Sequence, residues 1–257
     1  MGEEQSGGNG VVRPVAVEWR PGRRVAASLE GPAGPGGVGI LLAPGAGAGQ
    51  GHPFLAGLRR RLAAAGHLTM TFDFPYAAEG RRAPDRLEVL LECHRAAARR
   101  LGEETGGVML AGKSMGGRVA THLAAEGEAC LGVACYGYPL LPPGKAVARD
   151  TSHLDAVAVP LLFLAGSRDR LAPLDLLRPV VGRLPGARLV VLDGADHSFG
   201  VGAVLDARGE ANLDRLAAAT AGWLAGLGAP GSGRLSGGGR SGARPGGSAA
   251  RPGRGRR

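Results

Sequence analysis

The sequence predicts an α/β fold in which a mostly parallel sheet is covered by helices on both faces. Short apolar runs without polar alternation, such as residues 108–111 and 161–165, are typical of strands that are buried on both sides. Helical patterns lie between these runs, as the crossovers between parallel strands require. The 257 residues, of which 44% are hydrophobic, are enough for one domain of this kind.

The elements can be assigned in order along the chain. Pro21-Gly22 predicts a hairpin turn between the first two strands, and the glycine-rich residues 31–37 predict a loop. Strands are predicted at residues 13–19, 23–29, 38–43, 68–74, 108–111, 131–136, 161–165 and 188–192. Helices are predicted at residues 54–65, 84–101, 115–125, 173–184 and 212–227. The connection before residue 161 is too short for a large lid domain, so we expect none.

Both ends of the chain differ in composition from the domain between them, which we assign to residues 11–228. Residues 1–10 are polar, and residues 229–257 consist of Gly, Pro, Ser, Ala, one Leu and seven Arg. Such segments bury too little apolar surface to offset the entropy lost on folding, so both are predicted to be disordered. The tail accounts for seven of the net charge of +9, which leaves +2 for the rest.

The basic tail restricts the partners that we expect. Its arginines can contact phosphates, but it lacks the aromatic side chains that stack on unpaired bases. We therefore expect at most weak, non-specific binding of nucleic acid by the tail. A basic extension without a function is an equally good interpretation, and the oligomeric state is left open.

The lack of a recognisable targeting signal and the pattern of cysteines predict a cytoplasmic protein without a membrane partner. Residues 1–10 lack the apolar core of a signal peptide, and no run approaches the about 20 apolar residues of a membrane span. The three cysteines, Cys93, Cys130 and Cys135, are an odd number without metal-ligand spacing, and we interpret them as buried free thiols. A reducing compartment fits such thiols best.

The most informative motif is the pentad at residues 112–116, which reads G-K-S-M-G. It follows the predicted strand at 108–111 and leads into the predicted helix at 115–125. A strand, G-x-S-x-G and a helix form the arrangement of a nucleophile elbow, in which a tight turn exposes the serine hydroxyl. The flanking glycines let the strand and the helix approach each other. Ser114 is therefore the candidate nucleophile.

The same stretch also fits a different motif. Residues 107–114 match G-x-x-x-x-G-K-S, the pattern of a phosphate-binding P-loop. A P-loop needs a buried strand before its first glycine and a curled loop between the two glycines. Here residues 102–106 are not a buried strand, and the residues between the glycines are apolar. We favour the elbow and keep a P-loop nucleotide hydrolase as a weaker alternative.

A serine needs a base, and the base needs an orienting carboxylate. His197 and Asp169 follow the predicted strands at 188–192 and 161–165, at the sheet edge where ligands bind. The chain order Ser, Asp, His is that of α/β hydrolases. The other carboxylates considered for the role of Asp169 are Asp155, Asp175, Asp193 and Asp196. Of the other histidines, His67, His94 and His122 are interpreted as surface or core residues and His153 as a helix-entry residue, while His52 is considered below.

An oxyanion hole needs two N–H donors. Met115, directly after the serine, supplies one, and Ala46 in the glycine-rich loop after residue 43 supplies the other, with Gly45 as the alternative. Four further residues are possible pocket residues: His52, Tyr76, Lys113 and Tyr138.

Each of these four residues has a structural interpretation as well. His52 is a structural hydrogen-bonding partner or a neighbour of the oxyanion site. Lys113 is surface-directed or ion-paired, or it favours an anionic acyl group. The two tyrosines line the pocket or pack in the core. Metal-ligand clusters are absent from the sequence pattern, so we expect neither a metal nor a cofactor.

Several blocks taken together resemble a known family. They are residues 42–48 (LAPGAGA), 52–54 (HPF), 71–76 (TFDFPY), 110–118 (LAGKSMGGR), 137–140 (GYPL), 142–145 (PPGK) and 166–169 (GSRD). The family is the small α/β hydrolases related to dienelactone hydrolase, whose eukaryotic relatives are a testis-expressed protein and a subunit of a histone acetyltransferase complex. The resemblance implies an α/β-hydrolase fold with Ser114, Asp169 and His197 as the triad. Dienelactone hydrolases proper use a cysteine nucleophile, so the serine argues against that particular reaction.

The sequence therefore predicts a serine hydrolase that cleaves a small carboxylic ester or thioester through an acyl-enzyme on Ser114. The alternative from another class is a non-catalytic scaffold with the hydrolase fold that binds a protein. The acyl group and the leaving group are left open.

Overall fold

The computed structural model describes residues 11–202 and 205–227. Its centre is an eight-stranded sheet with the order β1-β2-β4-β3-β5-β6-β7-β8. The strands are β1 (Arg13–Arg20), β2 (Arg23–Glu30), β3 (Gly34–Ala43), β4 (Leu68–Phe72), β5 (Thr105–Lys113), β6 (Val133–Tyr136), β7 (Leu161–Gly166) and β8 (Arg188–Leu192). Only β2 runs antiparallel to its neighbours, β1 and β4, and the six strands from β4 to β8 pair in parallel. The predicted fold class is confirmed.

Helices cover both faces of the sheet because the central strands are apolar on both sides. They are α1 (Pro53–Ala64), α2 (Pro75–Ala78), α3 (Leu87–Gly102), α4 (Met115–Ala125), α5 (Leu174–Gly182) and α6 (Ala207–Gly226). In β5, Leu110 belongs to the core under α3, α4 and α5, whereas Met109 and Ala111 belong to the core under α1 and α6. The alternating direction of strand side chains thus supplies two cores from one strand.

Several predicted boundaries were wrong. β3 begins at Gly34, inside the predicted loop 31–37, because Gly34 pairs with Thr105 before an irregularity that ends at Val38. β4 ends at Phe72 rather than at residue 74, because Pro75 starts the short helix α2. α6 begins at Ala207, five residues early, since the carboxylate of Asp206 accepts a bond from the Gly209 N–H and caps the helix.

The connection between β6 and β7, residues 137–160, contains only a single 3-10 turn at Ser152–Ala156, which the sequence analysis missed. In residues 11–202 and 205–227 no large lid domain is present. No helix in this part of the chain has both the length and the hydropathy to cross a bilayer. The segments predicted to be disordered, 1–10 and 229–257, lie outside the described residues.

The three cysteines are free thiols, as predicted, but only two are fully buried. Cys93 and Cys135 are buried, whereas Cys130 is half-buried at the start of the segment before β6. Burial raises the pKa of Cys130 to about 11 and that of the other two further. All three are therefore protonated at neutral pH. The cytoplasmic location stays a prediction.

His94 is the one fully buried histidine of the described chain. It lies on α3 with its ring centroid 5.4 Å from that of Phe72 and 6.2 Å from that of Phe74. Neither ring nitrogen has a hydrogen-bonding partner among the described residues. Burial lowers the pKa of His94 to about 3, so the folded protein holds this ring neutral.

We expect His94→Leu to make the protein less sensitive to acid. Below its usual pKa of 6.5 the histidine of the unfolded chain takes up a proton, whereas the folded one does not until about 3. The stability advantage of the leucine variant should therefore grow by about 1.4 kcal/mol for each pH unit on the acid side. Urea unfolding of both proteins at about pH 6 and about pH 4 measures this difference. A difference that does not change with pH would contradict it.

Candidate active site

Ser114 sits in a sharp turn between β5 and α4, with φ 50° and ψ −114°. A non-glycine residue with positive φ is strained by about 1–3 kcal/mol, which packing around the turn must offset. A Cβ atom on Gly112 would lie 2.3 Å from the backbone of Gly116, and one on Gly116 would lie 2.3 Å from the carbonyl oxygen of Ala43. Gly112 is therefore required for the close approach of β5 and α4, as predicted, whereas Gly116 is required for the close approach of α4 and the end of β3.

This geometry overturns the P-loop alternative. Residues 107–112 lie within the extended strand β5, where a P-loop would need a curled loop. Their backbone groups are engaged in pairing with β3 and β6 and cannot cradle a phosphate.

Ser114, Asp169 and His197 come together at the carboxyl ends of β5, β7 and β8. His197 Nε2 lies 2.9 Å from Ser114 Oγ, and His197 Nδ1 lies 2.8 Å from Asp169 Oδ2. The carboxylate can only accept, so the network assigns the proton to Nδ1 and leaves Nε2 free to accept from the serine hydroxyl. The convergence expected from the sequence is present.

Asp169 is fixed on all sides. Its Oδ1 accepts hydrogen bonds from the N–H groups of Leu171 at 2.8 Å and Ala172 at 3.1 Å, while Oδ2 faces His197. The residue is 3% exposed. These bonds orient the carboxylate and stabilise its charge in a buried place.

The other aspartates that the sequence offered have different partners. Asp155 pairs with Arg183, Asp193 accepts from Ser167, and Asp196 accepts from Ser198 and Gly200. Asp175 lies in the first turn of α5.

Two glycines bring the aspartate and histidine loops together. A Cβ atom on Gly166 would lie 2.2 Å from the Ala195 carbonyl oxygen. Gly137, with φ +66°, leaves space where a Cβ would be 3.2 Å from the His197 ring and 3.3 Å from Asp169 Oδ2. The sequence analysis missed the role of Gly137. Its position directly after β6, beside three other strand ends, was the available signal.

The loop after β3 lies beside the serine. A Cβ on Gly45 would be 3.7 Å from the Ser114 Cβ, and Gly45, Ala46 and Met115 all line the cavity at the serine. Tyr76 fixes this loop from behind: its hydroxyl donates to the Gly45 carbonyl at 3.3 Å and accepts from the Gly47 N–H at 3.2 Å.

Both tyrosines were predicted as possible pocket residues, and neither lies on the cavity wall. Tyr76 is fully buried behind the glycine loop. Tyr138 is 1% exposed, and its hydroxyl contacts Arg118 Nη1 at 3.1 Å and His153 Nε2 at 3.3 Å. Each hydroxyl finds its partners inside the protein, which explains why the rings turn inward.

His52 combines both of the roles considered for it. Its Nδ1 accepts from the Phe54 N–H at 3.2 Å and so caps α1, and its ring also lines the cavity. Burial, with a smaller contribution from the Lys113 charge, lowers the pKa of His52. The ring is therefore neutral at neutral pH.

Lys113 is neither surface-directed nor ion-paired, so that interpretation was wrong. It is partly buried and lines the cavity, with Nζ 5.5 Å from the ring centroid of Phe199 and 5.7 Å from that of Phe54. Within the described residues no salt bridge or hydrogen bond involves its ammonium group. Burial lowers the pKa of Lys113 to about 8, although the charges of Asp169 and Asp196 oppose this.

The cavity above Ser114 has a volume of about 880 Å³, a size typical of small-molecule sites. Leu87, Leu90, Val119 and Val201 form apolar parts of its wall. The sequence analysis did not identify these wall residues, since their apolar side chains look like ordinary core positions. In the part of the chain that the structure describes, no three His, Cys, Asp or Glu side chains form a cluster that could hold a metal ion.

Comparison with known proteins agrees with this architecture. Residues 37–225 match a family model described as an alpha/beta hydrolase domain. Three solved structures with the same architecture are a dienelactone hydrolase from Anabaena variabilis, an alpha-beta serine hydrolase homologue from Coxiella burnetii and an α/β serine hydrolase without lid from Xanthomonas campestris.

The first of these is 22% identical, with a TM-score of 0.67 over 85% of this chain and 99% of that chain. The second is 18% identical, with a TM-score of 0.63 over 81% and 96% of the two chains. The third is 18% identical, with a TM-score of 0.60 over 84% and 93%. Identities this low show a shared fold and no shared substrate. The eukaryotic relatives named from the sequence stay a prediction.

The family match covers most of the chain and includes the turn at Ser114 and the loops of Asp169 and His197. Together with the eight-stranded sheet and its neighbours among solved structures, it establishes that this chain belongs to the α/β hydrolase family.

Proposed function

We propose that this protein is a serine hydrolase that cleaves a small carboxylic ester or thioester through an acyl-enzyme on Ser114. The observation that carries the proposal is the pair of contacts made by His197, 2.9 Å to Ser114 Oγ and 2.8 Å to Asp169 Oδ2. A base that touches both the hydroxyl and a buried carboxylate is the arrangement that activates a serine at neutral pH.

In this mechanism Ser114 Oγ attacks the carbonyl carbon while its proton passes to His197 Nε2. Asp169 stabilises the imidazolium that forms and keeps the ring in position. The imidazolium then protonates the departing alcohol or thiol, which leaves an ester of Ser114. Water attacks that ester with His197 as the base again, and the carboxylic acid departs as Ser114 regains its proton.

The negative oxygen of the tetrahedral intermediate needs donors in place before the reaction. We assign this role to the N–H groups of Met115 and Ala46, with Gly45 as the alternative to Ala46. Two contacts support the assignment: the loop that carries Ala46 lies against Ser114, and the Tyr76 hydroxyl bonds the loop on both sides of that residue. A donor that is held rigidly costs no reorganisation when charge develops.

The shape and chemistry of the cavity support the proposed substrate class. A volume of about 880 Å³ accepts a small ester or thioester, and the apolar wall suits an alkyl or aryl portion. The mechanism needs neither a metal nor an organic cofactor, and we propose that the partner of the site is this small molecule alone.

A fluorophosphonate probe should label the wild-type protein, and Ser114→Ala should abolish the label. The same variant should lower kcat on p-nitrophenyl esters by about 10⁴-fold or more, because the nucleophile is lost. Ser152→Ala is the matched control, since Ser152 is exposed and its hydroxyl donates to Asp150. Mass spectrometry of the labelled peptide identifies the modified residue.

A correctly folded wild-type protein that takes no label and cleaves no ester or thioester of graded chain length would overturn the proposal. That outcome would favour the non-catalytic scaffold. Circular dichroism on the same samples establishes that the protein is folded.

Tyr76→Phe should lower kcat by about tenfold and leave KM little changed. Removing the hydroxyl frees the Gly45 carbonyl and the Gly47 N–H and loosens the loop of a proposed oxyanion donor, and losing such a donor outright costs about 10²–10³ in rate. Tyr136→Phe is the matched control, because its hydroxyl bonds Thr220 on α6. An equal loss of kcat in both variants would show a general effect of packing.

A further inference from the structure

We propose that Lys113 is a substrate-recognition residue, and that the natural substrate carries a carboxylate, on its acyl or its alcohol portion, which pairs with the Lys113 ammonium group in the cavity. This inference rests on the proposed function, because it names the substrate class of the same site.

The first argument is position. Lys113 is the last residue of β5 and directly precedes Ser114, and both side chains line one cavity. Its ammonium group lies 5.5 Å from the ring centroid of Phe199 and 5.7 Å from that of Phe54. A cation held near two ring faces is stabilised there and is kept from extending into bulk water. The charge is therefore held at the wall of the cavity that contains the reacting serine.

The second argument is the missing counter-charge. Across residues 11–202 and 205–227 no carboxylate comes within 4.0 Å of Lys113 Nζ. Asp169 is engaged with His197 and two backbone N–H groups, and Asp196 accepts bonds from Ser198 and Gly200. Both carboxylates are thus engaged with other groups and leave the lysine without an ion pair in the described part of the chain.

Arg59, a buried cation of the described residues, has a counter-charge within the chain. The guanidinium of Arg59 lies 3.0 Å from the Glu30 carboxylate and 2.8 Å from the Thr71 hydroxyl. A charge that is removed from water without such a partner lowers the stability of the protein. A ligand that supplies the partner recovers that free energy on binding. The ammonium group of Lys113 can therefore form an ion pair with an anionic group of a bound ligand.

The third argument is the charge of the whole cavity. Its wall carries Arg118 and Arg149 in addition to Lys113. Among the described residues the wall has two acidic side chains, Asp85 and Asp196, and Asp85 is already paired with Arg81. The wall therefore favours anionic over cationic ligands. In a partly desolvated cavity an ion pair is stronger than in bulk water, which makes one well-placed charge selective.

Titratable groups from several elements face Lys113. His52 at the start of α1 is neutral, and Asp169 after β7 and Asp196 after β8 are acidic. The pKa of about 8 keeps the lysine mostly charged at neutral pH and neutral well above pH 8. The selectivity for an anion should therefore be present at pH 7 and should decline as the pH rises through about 8 or, with the anion bound, somewhat higher.

The test compares matched ester pairs. In the first pair the charge is on the acyl side: p-nitrophenyl hydrogen adipate against p-nitrophenyl hexanoate. In the second it is on the alcohol side: the acetate ester of 4-hydroxybenzoate against that of its methyl ester. We expect wild-type kcat/KM to favour the anionic member of at least one pair by about tenfold or more, the worth of a charge-assisted bond.

The variants assign that preference to one residue. Lys113→Met should reduce it to about twofold or less, and Lys113→Arg should retain most of it, since a charge at this place is what matters. The chain has one other lysine, Lys145, which is exposed and outside the cavity, so Lys145→Met changes the net charge equally and should keep the full preference. Should Lys113→Met fail to fold, Lys113→Gln takes its place.

Failure of the inference and failure of the proposed function have different signatures. Cleavage of neutral esters with no anionic preference in either pair, or a preference that survives in folded Lys113→Met, overturns the inference and leaves the serine hydrolase standing. If no ester is cleaved, calorimetric titration with adipate decides the inference alone. Saturable binding by the wild type that Lys113→Met loses supports it, and absent or equal binding overturns it.

Discussion

The close approach of β5 and α4 is the constraint on which the rest of the site depends. A Cβ atom on Gly112 would lie 2.3 Å from Gly116 in α4, so only glycine at position 112 lets the strand and the helix meet at this distance. Gly116 in turn lets the start of α4 approach the end of β3, where its Cβ would lie 2.3 Å from the Ala43 carbonyl oxygen. The chain can turn between the two glycines only by forcing Ser114 to a positive φ. That strain is held by packing on both faces of the sheet, and it leaves the hydroxyl pointing away from the core toward His197.

The same principle recurs at the neighbouring strand ends. Gly166 lets the loop of Asp169 touch the loop of His197, and Gly137 leaves room for the histidine ring itself. Small residues at three adjacent strand ends thus set the distances between side chains that are far apart in the chain. The catalytic geometry is therefore a property of the sheet edge as a whole, and it needs no rigid lid to assemble it.

Polar groups inside the protein divide into those that the fold satisfies and those that it does not. Tyr76, Tyr138 and Asp169 each find their hydrogen-bonding partners inside the chain. His94 has none and stays neutral, at a cost in acid stability. Lys113 opens onto the cavity, where a ligand can supply what the chain lacks. The contrast separates a structural irregularity from a feature suited to recognition.

The fold class, the order of the strands and the turn at Ser114 were predictable from the sequence, because apolar periodicity and glycine spacing are local signals. The sequence also predicted that Asp169 and His197 lie at one edge of the sheet, since the carboxyl ends of parallel strands lie on the same side. It could not decide which way side chains turn. Tyr76 and Tyr138 face inward and Lys113 faces the cavity because partners distant in the chain, such as Arg118 and Phe199, hold them there. Strand pairing also decided where β3 begins, because Gly34 becomes part of a strand only when Thr105 lies beside it.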